Sequence, residues 1–203
     1  YLANDIRIIQ AISAFMEAHP GISINLQSFT QSEDIDLINK NFHLYFTDKD
    51  MTSTSLKSEL LIQYSTVLCA SPTYIQKHGM PMDLGDLTQH NCLLHFLYEK
   101  PITEWNIKSN GKYIATSVSG NAQASRTHIL VKMARSGMGI AMLPHFMISR
   151  HLSNGELITI LNEYECQSSE VYITTYRQSD TPKKIASFIS YVEQYFNSTS
   201  HKQ

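Results

Sequence analysis

The stretch SRTHILVKMARSGMGIAMLP, residues 125–144, combines a helix and a strand in one short segment. Its apolar residues recur through residues 129–134 at the spacing of one helical face. Ser125 is predicted to cap this helix, and Gly137, which tolerates a positive φ, is predicted to end it. Residues 139–143 are then predicted to form a short buried strand. A helix that leads directly into a buried strand is typical of an α/β fold.

The same alternation extends along the chain on both sides of this stretch. Residues 5–19 have helical periodicity, and residues 22–26 alternate apolar and polar side chains as a half-buried strand does. The aromatic run FHLYF at 42–46 and the segment at 171–176 are predicted to be strands. Strands that alternate with helices predict an α/β fold with mixed, mostly parallel sheets and helices on both faces.

Two further elements complete this organisation. Asn110-Gly111 supplies the positive φ angles of a tight turn, so the flanking residues are predicted to form an antiparallel hairpin. A last helix, residues 181–196, is predicted to share a lobe with the helix at 5–19 because its apolar stripe needs a covered surface. That stripe consists of Ile185, Phe188, Ile189, Val192, Tyr195 and Phe196.

Composition excludes several classes of function. The chain has 203 residues, 42% of them hydrophobic, and a net charge of −2, so it is neither disordered nor basic enough to bind DNA by itself. It has neither the roughly 20 consecutive apolar residues of a membrane span nor a visible signal peptide. A cytoplasmic location without a membrane partner is therefore expected. Cys69, Cys92 and Cys166 are scattered and expected to be reduced.

Motifs for chemistry are weak. His90-x-Cys92-x-x-His95 places metal-ligating atoms close together, but a fourth ligand is not visible, so a structural role is favoured. Gly137-x-Gly139 follows a helix, the reverse of the order that presents amides to a phosphate. The sequence contains none of the local catalytic motifs of hydrolases, zinc proteases or nucleotide-binding loops. We therefore predict no catalytic residue, metal or cofactor, although a Ser-His-acid site assembled by the fold stays open.

Eight segments, in order, resemble the effector-binding domain of LysR-type transcriptional regulators. They are FMEAHPGISINL (15–26), VLCASPTYIQKHGMP (67–81), DLTQHNCL (86–93), Trp105 before a hairpin, VSGN (118–121), SGMGIAMLP (136–144), LSNGELITIL (152–161) and KKIASFISYV (183–192). One departure is HLYFT at 43–47, where the family usually has D-V-A-I-R. This departure removes an Asp and an Arg from the expected cleft.

The resemblance implies a two-lobed fold like that of periplasmic binding proteins, with a small-molecule effector between the lobes. Lobe I is expected at residues 1–66 and 169–203, and lobe II at 67–168. The winged helix-turn-helix of the family would precede Tyr1, so DNA would be bound only through that absent part. The chain would then be the sensing, non-enzymatic part of a bacterial regulator. A periplasmic solute receptor is the alternative, and an enzyme is a third hypothesis.

The resemblance and the physics of helix ends together give a candidate site. Ligands of open α/β sheets bind where strands end and helix N-termini present free amides. The predicted ligand-binding residues lie at two such strand ends: Thr30, Gln31, Ser32, Asn121, Ser125, Arg126, Thr127 and His128. Of these, Ser125, Arg126 and Thr127 suit a small carboxylate or a similar polar anion. The opposing interpretation is that Ser125 merely caps its helix and Arg126 lies in solvent.

The family also implies oligomers. A homodimer is expected, with a tetramer as an option for the full-length protein, and the first helix of one subunit would meet the second lobe of its partner. Ile8, Ile9 or Ile12 would supply the apolar contacts.

Overall fold

The computed structural model describes residues 6–27, 43–97, 100–109, 111–177 and 182–200. Within these residues the helices are α1 (Ile6–Ala18), α2 (Pro72–His78), α3 (Thr127–Arg135), α4 (His145–Ser153) and α5 (Lys183–Ser200), with a 3₁₀ turn at Gly85–Gln89. The strands are β1 (Tyr45–Thr47), β2 (Leu56–Tyr64), β3 (Thr66–Ala70), β4 (Leu94–Leu97), β5 (Lys100–Pro101), β6 (Glu104–Ser109), β7 (Lys112–Ser117), β8 (Gln123–Ala124), β9 (Ala141–Pro144), β10 (Ile158–Ile160), β11 (Glu165–Cys166) and β12 (Ser169–Tyr176). None of these helices is long and apolar enough to cross a membrane.

The chain divides into two compact units. Unit 1 consists of Tyr1–Gln63 and Glu170–Gln203, and unit 2 consists of Tyr64–Ser169. Strands β2 and β12 connect the units, because each begins in one unit and ends in the other. Each unit has its own sheets and its own packed helices.

In unit 1, α1 packs against α5 beside a sheet with the order β1-β12-β2. The rings of Phe15 and Phe188 pack edge to face with their centroids 5.0 Å apart, and Val192 is fully buried. The prediction that the last helix lies in the same lobe as the first is therefore confirmed. The prediction that Ile8 or Ile12 supplies a dimer contact is wrong, because both side chains are buried inside unit 1.

Unit 2 is built around β3. This strand lies between β9 and β10 and pairs with both in antiparallel fashion. Beyond β9 the sheet continues through a parallel bridge between Cys92 and Ile140, and β4 then pairs in parallel with β8. Apolar clusters cover both faces of this arrangement: one contains Leu68 and Trp105, and the other contains Leu130 and Ile148.

The predicted hairpin is confirmed. Strands β6 and β7 pair in antiparallel fashion from Glu104–Ser117 to Ser109–Lys112, and Gly111 has a φ of 79°. Strand β11 pairs with the other side of β6, which leaves β7 at the edge. Trp105 and Ile107 on β6 are buried in the core of unit 2.

Three details of the predicted strands need correction. Mixed sheets are present, but β4–β8 is the only parallel ladder among those whose register the described residues define. This follows from the hairpin and from the antiparallel pairing of β3. Residues 22–26 form no strand, although Ile22 and Ile24 are half-buried and their neighbours exposed, because no ladder partner meets them in the described residues. The strand expected at 42–46 is Tyr45–Thr47, and residue 42 lies outside the described residues.

Asn91 connects the parallel part of unit 2. Its carbonyl accepts a hydrogen bond from Ile140 N at 2.9 Å, and its side-chain Oδ1 accepts one from Asn121 N at 2.9 Å. Its Nδ2 donates to the carbonyl of Met138 at 2.6 Å. Glycines at 120 and 139 permit this approach, because a Cβ at Gly139 would overlap the Asn91 carbonyl and one at Gly120 would overlap that of Cys92.

We therefore predict that Gly139→Ala lowers the free energy of unfolding by about 1–3 kcal/mol, as overpacking of a filled site does. Urea denaturation measures this change. Gly21→Ala is the matched control, because a Cβ there meets nothing within 4 Å. An unchanged stability of Gly139→Ala would contradict the close approach at Asn91.

Candidate functional site

The parallel ladder of β4 and β8 defines one edge of the unit 2 sheet. Leu94 pairs with Gln123 and His95 with Ala124, after which the ladder ends and α3 begins at Thr127. We call this end, with residues 95 and 124–128, the carboxyl edge. In open α/β sheets, ligands bind outside the carboxyl ends of parallel strands. The edge therefore has the topology of a binding site.

Thr127 and His95 are paired at the carboxyl edge. The distance from His95 Nε2 to Thr127 Oγ1 is 3.2 Å, and Thr127 is only 4% exposed. The hydroxyl donates to Nε2 when that nitrogen carries no hydrogen and accepts from it when it does. The contact thus holds the first residue of α3 against β4 and leaves the threonine oxygen with further hydrogen-bonding capacity.

The start of α3 differs from its prediction. The N-cap residue is Arg126, with φ −125° and ψ 126°, and its side chain makes no capping hydrogen bond. Ser125 is exposed and precedes the cap, so the prediction that it caps the helix is wrong. The backbone stays extended through Arg126, which moves the first turn one residue later. The other end is as predicted, because Gly137 has a φ of 76°.

The chemistry of the carboxyl edge favours an anion. A helix N-terminus has backbone N–H groups directed outward and a partial positive charge. The guanidinium of Arg126, which is half-buried, and the hydroxyl of Ser125 lie in the two positions before α3, and half-buried His128 is its second residue. Hydrogen-bond donors of this kind suit a carboxylate.

The structure does not bring all the predicted site residues together. Ser125, Arg126, Thr127 and His128 adjoin one another at the carboxyl edge. Asn121 lies at the opposite, amino end of β8, where its N–H donates to Asn91 Oδ1 at 2.9 Å. Thr30, Gln31 and Ser32 lie outside the described residues.

The His90, Cys92 and His95 motif does not converge on one point. His90 Nδ1 lies 3.1 Å from the hydroxyl of Tyr74, whereas His95 contacts Thr127 beyond the other end of the strand. Cys92 Sγ donates to the carbonyl of Leu87 at 3.7 Å. Within the part of the chain that the structure describes, His, Cys, Asp and Glu form no group of three that could hold a metal ion.

Sequence reasoning missed the pairing of His95 with Thr127. In the sequence, His95 stands out only as a member of a metal-like motif, and it lies 32 residues before its partner. The available signal was its position in the apolar strand Leu94–Leu97, where a polar side chain needs a hydrogen-bonding partner. The pattern predicts that His95 has a hydrogen-bonding partner but does not predict which residue it is.

The three cysteines are buried within unit 2. Burial raises the pKa of the Cys69 thiol to about 12, that of Cys92 to about 12 and that of Cys166 to about 11. Because the thiolate is the reactive form, these groups are poor nucleophiles in the folded protein. They act as small core side chains.

Comparison with known proteins identifies the family. The chain matches the LysR substrate binding domain over residues 3–197. It is 28% identical over 173 residues to the HTH-type transcriptional activator TtdR of Escherichia coli, covering 84% of this chain and 54% of that protein. It is 25% identical over 189 residues to the E. coli transcriptional regulator DmlR, covering 93% of this chain and 61% of DmlR.

Solved structures agree with this match. The full-length Vibrio cholerae virulence activator AphB, a member of the LTTR family, has a TM-score of 0.76 at 26% identity, covering 93% of this chain and 63% of AphB. The regulatory domain of CrgA from Neisseria meningitidis shares the fold, with a TM-score of 0.79 at 23% identity and coverage of 94% of this chain and 93% of that domain.

The chain belongs to the LysR substrate binding domain family, the effector-binding regulatory domain of LysR-type transcriptional regulators. The predicted α/β fold of the two-lobed, periplasmic-binding-protein-like type is thereby confirmed. The relatives are transcriptional regulators rather than enzymes. The chain spans 54–61% of the length of the two E. coli regulators.

We predict that the three thiols react slowly with a water-soluble aromatic disulfide such as DTNB in the folded protein. In denaturant, all three should react at the rate of ordinary thiols, because both burial and the raised pKa are lost. The release of the thiolate is followed spectrophotometrically under both conditions. Rapid modification of one native thiol at neutral pH would contradict the burial of that residue.

Proposed function

We propose that this chain is the sensing domain of a DNA-binding regulator and that it binds a small-molecule effector. DNA would be contacted by a part of the regulator outside this chain, in agreement with the net charge of −2. The regulator would act in the cytoplasm, where its DNA target lies. The match to the LysR substrate binding domain over residues 3–197 is the observation that carries the proposal.

The effector site is proposed at the carboxyl edge of unit 2, with Ser125, Arg126, Thr127 and His128 as its ligand-binding residues. Support comes from the common end of β4 and β8 beside the first turn of α3 and from the His95–Thr127 contact. The chemical class that fits is a small carboxylate or a similar polar anion, because the first turn offers amides, hydroxyls and a guanidinium. Thr30, Gln31 and Ser32 stay proposed on the family resemblance alone. Asn121 lies at the amino end of β8, where its N–H donates to Asn91 Oδ1, and is not included in this site.

A periplasmic solute receptor would share the fold and a similar mode of binding. The relatives favour regulation instead, because TtdR and DmlR carry the names of HTH-type transcriptional regulators. A dedicated enzyme is disfavoured on the same ground. Ligand binding without turnover would support the regulator.

The proposed oligomer is a homodimer, with a tetramer as an option for the full-length regulator. Its support is the exposed apolar surface on α1, where Ile9 is 37% and Met16 is 40% exposed. Ile129 on α3 is 38% exposed and supplies an apolar position in unit 2 for the partner subunit. A two-fold contact would use both positions twice.

The site is tested with two variants of the carboxyl edge. A thermal-shift screen of small carboxylates, amino acids and aromatic acids first identifies a ligand, since binding to the native state raises apparent stability. Thr127→Val and Arg126→Ala should each lower the affinity for that ligand by about 10- to 150-fold. This change is the equivalent of about 1.5–3 kcal/mol for one charge-assisted hydrogen bond. Isothermal titration calorimetry measures the affinities.

Lys132→Ala is the matched control, because Lys132 is an exposed cation on α3 away from its first turn. Its affinity should equal that of the wild type. Wild-type affinity in both Thr127→Val and Arg126→Ala would rule out the assignment of the site.

The dimer is tested by sedimentation velocity at concentrations on the order of tens of micromolar, a choice suited to a modest interface. The wild type should sediment as a dimer, and Ile9→Glu as a monomer, because a carboxylate would be buried in the contact. Met82→Glu is the control, since Met82 is 77% exposed and belongs to neither α1 nor α3. A monomeric wild type, or a dimeric Ile9→Glu, would refute the proposed interface.

A further inference from the structure

A hydrogen-bonded cluster at the amino end of the parallel strands has no part in the proposed effector site. The hydroxyl of Tyr74, on α2, lies 2.9 Å from Asn91 N and 3.1 Å from His90 Nδ1. The ring of His78 stacks on Tyr74 with centroids 4.5 Å apart. Tyr74 is 2% exposed, so its hydroxyl depends on these partners.

The donor fixes the direction of one of these two hydrogen bonds, and the latch concerns the direction of the other. The backbone N–H of Asn91 can only donate, so the Tyr74 oxygen accepts from it. The phenolic hydrogen is then free to donate to His90 Nδ1, which accepts only when that nitrogen carries no proton. When the phenolic hydrogen points at Nδ1 in this way, His90 is neutral and carries its hydrogen on Nε2.

Asn91 transmits any change at Tyr74 to the sheet. It holds Asn121 and Met138 through its side chain and Ile140 through its carbonyl. The backbone is closely approached here, because a Cβ at Gly120 or at Gly139 would overlap a backbone carbonyl. A displaced Asn91 would thus loosen three segments of unit 2 together.

We propose that Tyr74, His90 and Asn91 form an acid-sensitive latch, in which protonation of His90 ejects the Tyr74 hydroxyl and loosens the amino end of the parallel strands. A proton on Nδ1 meets the phenolic hydrogen that now points at it. The phenol must then turn its hydrogen into a buried space or give up its bond with Asn91. This device is independent of the effector site.

Three charged or titratable groups from two neighbouring elements influence His90. They are Tyr74 and His78 from α2 and Asp86 from the 3₁₀ turn. Burial lowers the pKa of His90, the carboxylate of Asp86 opposes this shift, and His78 adds to it. A histidine whose pKa is lower in the folded than in the unfolded state stabilises the fold fully at pH values above its unfolded-state pKa of about 6.5. This stabilisation is lost as the pH falls through the folded-state pKa.

The first test is an NMR titration of the imidazoles in the intact chain. At pH 7.5, long-range nitrogen–proton correlations should show His90 with its hydrogen on Nε2. The midpoint of His90 should lie below the ordinary histidine value of about 6.5. A hydrogen on Nδ1, or a midpoint at or above about 6.5, would overturn the proposal.

The second test measures amide hydrogen exchange, as protection factors, at pH 7.5 and pH 5.5. In the wild type, the protection of the Asn91, Asn121 and Ile140 amides should fall at least several-fold at the lower pH. His90→Asn keeps an acceptor near the Nδ1 position but does not titrate, so its protection should be the same at both pH values. His43→Gln, an exposed histidine of unit 1, should behave like the wild type.

Tyr74→Phe keeps the ring and removes the hydroxyl, so its protection at Asn91 should be low at both pH values. If this variant does not fold, the comparison of the wild type with His90→Asn decides the question. Equal acid sensitivity in those two proteins would overturn the latch.

Discussion

The passage of Asn91 between Gly120 and Gly139 is the contact on which the architecture of unit 2 depends. One asparagine bonds to residues 121, 138 and 140, and two glycines leave the space for it. Because buried backbone groups must be paired, this contact sets where β4 and β8 begin. Once their beginnings are set, their parallel register determines where they end.

The carboxyl edge is a consequence of that register. His95 and Ala124 end the ladder together, so the first turn of α3 starts beside the imidazole of His95. The two ends of the same strands thus have different roles. The amino end is tied by hydrogen bonds within the protein, whereas the carboxyl end brings a helix start, hydroxyls and a guanidinium to one place, which is the chemistry proposed for an anionic effector.

Periodicity predicted those elements whose packing is local. The stripe of α5 leads to the buried Val192 and Phe196, and the Asn110-Gly111 turn forms the β6–β7 hairpin. Prediction failed where a distant partner decides the outcome. Residues 22–26 have the strand pattern without a paired strand in the described residues, and Ser125 has capping chemistry but lies before an extended Arg126. For the site, helix-end reasoning indicated Thr127, yet its partner His95 depends on strand register, which the sequence does not contain.

The central claim is that the effector binds at the carboxyl edge of unit 2 and not at its amino end. Amide chemical-shift mapping with a ligand from the thermal-shift screen tests it most directly. The account predicts the largest shifts at His95 and at residues 125–128, with small shifts at Asn91, Asn121 and Met138. Large shifts confined to Asn91, Asn121 and Met138, with residues 125–128 unchanged, would contradict it.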